Sequence, residues 1–273
     1  MNYQEIIQII NQTLSMDSLQ NPYLLLDCSQ MSKIQRRSLS SYEGIPIWRN
    51  ILKMEDETIS PVLLDLDRQN FARQVKQICE KKQNVPLYSI IISYLPTAKL
   101  AEHLGQYSLC QAQDKQPLVL RFCDTRILPI LEQAFSNENR RHFFAPITKW
   151  FYPDIVGEWH MIENQYTNDV PKLKGILELT DTEYEDILDG TIPYALFMEV
   201  YEHLTQLGNI NGSFQSNLWR DIQLEAAKED FASPFFSMHE FIERYLQSLS
   251  DKLKIWGTDD TVLMSRFDYQ ETA

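Results

Sequence analysis

Two short stretches hold most of the side chains that could do chemistry. In YLLLDCS, residues 23–29, an apolar run ends at Asp27, with Cys28 and Ser29 behind it. In RFCDTRIL, residues 121–128, Arg121 and Arg126 bracket Asp124. A carboxylate beside a thiol suits hydrolytic or thiol chemistry, provided that a histidine joins them as a base. The five histidines (His103, His142, His160, His203 and His239) are scattered, and no spacing puts one beside Cys28. They form no H-E-x-x-H pair, and neither they nor the cysteines are spaced like a zinc site. With only eight glycines, no phosphate-cradling loop stands out, and Ser213 in NGSFQ lacks the second glycine of a nucleophile elbow. Asp65 and Asp67 are two apart but belong to no motif. The sequence therefore assigns no catalytic residue, no cofactor and no metal.

What the second stretch offers is electrostatic. Asp124 can accept hydrogen bonds from the amides that a strand-to-helix turn exposes, and Arg121 and Arg126 can each give it a charge-assisted bond. Pro129 fits only in a first helical turn, so the helix should begin near Leu128. Farther on, Phe143, Phe144, Trp150, Phe151 and Tyr152 put five aromatics in ten residues. Some of these must be core, but aromatics with arginines are also the usual make-up of a protein-binding hot spot.

The elements that must position these residues follow from pattern and composition. The chain has 273 residues, 44% hydrophobic and 23% charged, which is ordinary globular usage. No apolar run approaches membrane-spanning length. The start, MNYQEIIQIINQTL, has helical apolar spacing without a basic segment before it, and is expected to be a structural helix of a cytoplasmic protein. Cys28, Cys79, Cys110 and Cys123 lie far apart in apolar runs and should be buried, reduced thiols. Strand-like runs occur at 23–27, 61–66, 87–94 and 157–163, and a hairpin at 107–123 turns at Asp114-Lys115-Gln116. Helical stripes lie between them: Asp67 can cap one carrying Phe71, Val75 and Ile78, Thr97 starts another, and a third carries Ile127, Ile130, Leu131, Ala134 and Phe135.

Strand–helix alternation implies an α/β lobe with a mixed sheet and packed helices over 1–166. The polar run Asn164 to Lys174 makes the boundary. Residues 167–273 then read as an all-helical lobe, with TDTEYEDILDG, IPYALFMEVYEHLTQLG, NLWRDIQLEAAKEDF and a last helix capped by Ser237 and Glu240, before the polar tail 258–273. Charge divides with the lobes: 17 Lys and Arg against 18 Asp and Glu in 1–165, but 8 against 20 in 166–273. Such an acidic surface repels nucleic-acid backbones and suits a basic protein partner.

The order of motifs resembles the bacterial type VI secretion effector adaptor/chaperone family (Tap/Tec-type), usually encoded beside VgrG spike genes. The matching residues are Tyr23, Leu25, Leu26 and Asp27; Pro61, Leu63 and Leu66; His103 and Leu104; then Arg121, Phe122, Asp124, Arg126 and Leu128. Phe143, Phe144, Pro146, Ile147 and Trp150 follow, with Gly157 and Trp159 behind. The resemblance spans about residues 20–160. The chain departs from the pattern at Cys123, at Thr125 and at Cys28-Ser29. What the resemblance implies is a non-enzymatic adaptor that binds a secreted toxin effector and the VgrG spike. Tyr23, Asp27, Arg121, Phe122, Asp124, Arg126, Phe143, Phe144 and Trp150 would be its signature or partner-binding residues. Two other readings compete: a hydrolase-type enzyme using Asp27 or Cys28, and an acidic immunity protein that covers a basic toxin.

Overall fold

The structure is a computed structural model. It describes residues 1–255 apart from 32, 39–41, 49–58, 80–86, 165–172, 174, 208–211, 232, 234 and 235. The expected tail 258–273, most of the boundary segment, and the side chains of Ile78, Cys79 and Ser213 lie outside the described residues.

The chain is α/β. Six strands form one sheet: β1 (Asn21–Leu26), β2 (Gly44–Pro46), β3 (Val62–Asp65), β4 (Tyr88–Ser93), β7 (Ile147–Pro153) and β8 (Trp159–Glu163), in the order β2-β3-β1-β4-β7-β8. Every neighbouring pair in it is antiparallel. Parallel pairing is confined to a small sheet of β5 (Leu109–Gln111), β6 (Pro117–Val119) and β9 (Leu177–Glu178), where β9 runs parallel to β5.

Both faces of the large sheet are covered. On one, Leu24, Leu26, Ile90 and Ile92 pack with Ile6, Ile10 and Leu14 of α1 (Tyr3–Met16) and with Phe71 and Val75 of α3 (Phe71–Cys79). On the other, Tyr23, Leu25, Ile91 and Trp150 pack with Leu100 and Leu104 of α4 (Thr97–Gln106), with Leu128 and Leu131 of α5 (Leu128–Ala134), and with Phe143 and Phe144 of α6 (Asn137–Phe144). Strands buried on both faces read as unbroken apolar runs, which is why YLLL and SIII show no alternation. Each such side chain contributes roughly 1.5–3 kcal/mol on leaving water. α1 is fixed at both ends. The Asn2 side chain accepts from Glu5 N while Glu5 accepts from Asn2 N, and Arg68 donates to the carbonyls of Leu14, Asp17, Ser18 and Gln20 at the other end. The short α2 (Lys33–Ser38) follows the first strand through a 3-10 turn, Cys28–Gln30.

Two expectations change in the sheet lobe. The second arm of the expected hairpin is shorter than 117–123: β6 ends at Val119 and its three residues are exposed, because it pairs only with β5. The chain turns inward after it, where Leu120 N donates to Ser108 O at 3.0 Å. The aromatic segment 147–153 is a strand, β7, lying between β4 and β8. The chain forms two compact units, residues 1–187 and 188–273, and β9 and Glu183 join the stretch before Leu188 to the sheet lobe. By that division, residues 1–187 hold 19 Lys and Arg against 24 Asp and Glu, and 188–273 hold 6 against 14.

The two helical segments expected on either side of Gly190 are one helix, α7 (Asp181–Leu207), with Pro193 inside; it starts in the first unit and continues into the second. Phe197, Val200 and Leu204 are buried, as are Leu218 and Ile222 of α8 (Gly212–Ala226) and Phe241, Tyr245 and Leu249 of α9 (Met238–Ile255). Tyr194 stacks on Trp219 at 4.6 Å, and Ser237 accepts from Glu240 N at 3.3 Å at the start of α9. Among the described residues, no helix is long and apolar enough to cross a membrane.

Candidate functional site

The two chemistry-bearing stretches meet. Asp27 follows β1 and is fully buried; its amide donates to Leu87 O at 2.8 Å, and its Oδ1 accepts from Ser29 N at 3.0 Å and Ser29 Oγ at 2.6 Å. Its other oxygen, Oδ2, accepts from Arg121 Nη2 at 2.8 Å, across 94 residues of sequence. The same nitrogen donates to Ser29 Oγ at 2.9 Å and lies 3.6 Å from Asp124 Oδ2. Arg126 takes Asp124 in a fork: Nε to Oδ1 at 2.8 Å and Nη2 to Oδ2 at 2.6 Å. The Asp124 carbonyl accepts from Ile127 N and Leu128 N, which starts the turn into α5. Both arginines lie on Asp124, as expected, but Arg121 makes its short hydrogen bond to Asp27 and so ties the end of β1 to the turn before α5.

Electrostatics follow burial. Burial works against the charge on Arg121, but the neighbouring Asp27 carboxylate and, less strongly, Asp124 outweigh it and raise the guanidinium pKa. Its Nε is buried and has no partner among the described residues. Burial first, then the Asp27 charge, pushes the Cys123 thiol well above its ordinary range, and burial takes Cys110 to about 11. A thiol so shifted is neutral at pH 7 and a poor nucleophile. Cys28 is buried as well. His103 is buried against the Phe143 carbonyl, at 2.8 Å from Nε2, and burial lowers its pKa to about 4. His160, His203 and His239 face Asp154, the Glu199 carbonyl and Glu243. Among the described residues, no group of three His, Cys, Asp or Glu side chains could hold a metal ion.

Behind the ions lies an aromatic layer centred on Phe143, whose ring is 5.2 Å from Tyr107, 5.5 Å from Phe122, 4.8 Å from Phe144 and 5.8 Å from Trp150. Trp150 Nε1 donates to Ser89 Oγ at 2.8 Å, and Tyr23 OH to Leu95 O at 2.6 Å. These rings are not a docking platform. Tyr23, Phe122, Phe143, Phe144 and Trp150 are at most 1% exposed, because β4, α4 and α6 close over them. Of the nine signature residues only the arginines reach solvent, Arg121 at 39% and Arg126 at 21% of their side chains.

Residues 22–142 match the family model described as Domain of unknown function (DUF4123). The matched stretch runs from β1 to α6 and contains Asp27, Arg121, Asp124 and Arg126, but it stops just short of Phe143, Phe144 and Trp150. No curated protein and no solved structure matches the chain.

Sequence reasoning missed two ties. The Asp27–Arg121 pair leaves no local signal, since its partners are remote. Glu183 did leave one, the T-x-x-E spacing of Thr180 and Glu183. Thr180 N and Oγ1 donate to Glu183 Oε2, while Ser136 N and Asn139 Nδ2 donate to Oε1 at 2.7 and 2.8 Å. One carboxylate thus serves the N-termini of both α6 and α7. Its burial favours the neutral acid, but the Thr180 and Ser136 hydrogen bonds outweigh that and hold the carboxyl below its ordinary value.

Proposed function

We propose that the chain is a non-enzymatic cytoplasmic adaptor that binds a type VI secretion toxin effector and seats it on the VgrG spike. The observation that carries this reading is the Asp27–Arg121 bond. The two motif blocks on which the resemblance rests, Y-x-L-L-D and R-F-x-D-x-R, lie within the matched stretch 22–142 and close on each other through it. In this reading the ion cluster and its aromatic layer are framework, and recognition belongs to the surface around them. The two compact units are both net acidic, with 19 Lys and Arg against 24 Asp and Glu in 1–187 and 6 against 14 in 188–273, so they differ in charge density rather than in sign.

The test is co-expression of the full chain with the spike protein and with the effector, followed by affinity purification on this chain. Both partners are expected to be retained. A chain that retained neither would end the adaptor reading, and turnover of a substrate dependent on Asp27 would replace it with an enzymatic one.

A further inference from the structure

Arg121 uses only part of its guanidinium to hold the framework. Nη2 gives its two hydrogens to Asp27 Oδ2 and Ser29 Oγ, at 2.8 and 2.9 Å. Nη1 makes no hydrogen bond among the described residues and, unlike the buried Nε, reaches solvent; the side chain as a whole is 39% exposed. Two more guanidiniums stand beside it. Arg36 of α2 donates to the carbonyls of Cys28 and Met31 at 3.3 and 2.8 Å, so it and Arg121 grip the same turn. Arg126 holds Asp124, whose Oδ2 is also 3.6 Å from Arg121 Nη2. α2 adds Lys33 and Arg37, both exposed. Residues 28–42 thus carry three cations and no carboxylate, in a chain whose net charge is −13.

We propose that this arginine face binds an acidic segment of the VgrG spike, with an Asp or Glu carboxylate of that segment on Arg121 Nη1. Charged N–H donors that face water are matched best by carboxylate or phosphate oxygens. The overall negative charge of the chain repels a phosphate polymer, which leaves the carboxylate. Arg121 is also fixed from behind by the buried Asp27, so it gives up little side-chain freedom when a partner arrives. The spike, rather than the effector, follows from where the site lies. Asp27, Lys33, Arg36, Arg121 and Arg126 all fall within the stretch 22–142 that the family model matches. A site in the part that members share suits the partner they share, whereas cargo differs from one adaptor to the next. This inference rests on the adaptor reading, which supplies the spike as partner.

Calorimetric titration of the purified full chain with purified VgrG, at low and high salt, tests it. Arg121→Lys keeps a cation beside Asp27 but loses the Nη1 donors, and should weaken binding on the order of ten-fold. Lys33→Glu changes an exposed side chain and should weaken binding about three- to ten-fold, with a flatter salt dependence. In Lys33→Glu the exchange of the β4 amides should stay within about three-fold of the unmodified chain, so its lost affinity is not lost fold. Where Arg121→Lys proves unstable, Lys33→Glu decides. Unchanged VgrG affinity in Lys33→Glu and in a stably folded Arg121→Lys would overturn the site and leave the adaptor reading standing. Weakened effector binding with VgrG binding intact would overturn the assignment to the spike. An unmodified chain that binds neither protein would end the adaptor reading and this site with it.

Discussion

Replacing Arg121 by methionine removes a cation that donates to Asp27 Oδ2 at 2.8 Å, and keeps most of the side-chain volume. Asp27 would keep the Ser29 amide and hydroxyl on Oδ1, while Oδ2 would lose its bond to the guanidinium in a fully buried position. Breaking a buried ion pair from one side typically costs about 3–5 kcal/mol. Arg121 is 39% exposed, so water can reach part of the vacated space, which brings the cost below that range, to about 2–3 kcal/mol. The chain has two compact units and need not unfold in one step, so a single melting curve is a poor readout. Exchange of the β4 amides at Ile90, Ile91 and Ile92 reports opening of the sheet lobe itself, and should accelerate roughly 30- to 160-fold. Adding Asp27→Asn to Arg121→Met removes the buried charge that Arg121 balances, so the double variant should cost less than the sum of the two single ones by about 1–2 kcal/mol. Simple additivity within about 0.5 kcal/mol would refute the claim that the two residues stabilise each other, whatever the single effects.

Three further outcomes are expected. His103 is held near 4 in the fold against 6.5 for a free imidazole, so between those values the unfolded chain takes up a proton that the native one refuses. Stability should fall as pH drops from about 6.5 to 4, by roughly 3 kcal/mol in all, and urea titrations should show His103→Gln flattening that slope. Glu183→Ala leaves the first turns of α6 and α7 without their shared acceptor, at about 1–3 kcal/mol, seen as faster exchange at Ser136 and Thr180. Because the Glu183 carboxyl is held below 4.5 in the fold, that stabilisation is present above this value and lost as pH falls through the lower one. Cys28, Cys110 and Cys123 should resist a thiol reagent until the chain is unfolded, and rapid stoichiometric labelling of any of them in the native state would contradict the packing described.

Much of the fold is legible in the sequence where one physical signal dominates. β1 and β4 stand out as apolar runs because both of their faces are buried, and α4 begins at Thr97, as its sequence indicates, and runs one residue past Gly105. β7 is hidden because ITKWFYP, rich in aromatics and next to arginines, has the composition of a hot spot as well as of a central strand. Composition does not reveal which face the rings turn to. β6 misleads in the opposite sense: LVL is apolar enough for a core strand, yet it sits at an edge. The site was half legible. Arg121, Asp124 and Arg126 announce an ion cluster by their spacing, but the partner of Arg121 is 94 residues away. Only the pairing of β1 with its neighbours and the turn after β6 bring Asp27 within reach.

An adaptor is defined by bridging, so the most direct measurement is whether effector and spike associate only through this chain. Purified VgrG, effector and full chain should elute together from a size-exclusion column as a single ternary species by light scattering. VgrG and effector alone should elute separately. Co-elution of those two without the chain, or failure of the chain to join either, would contradict the adaptor account.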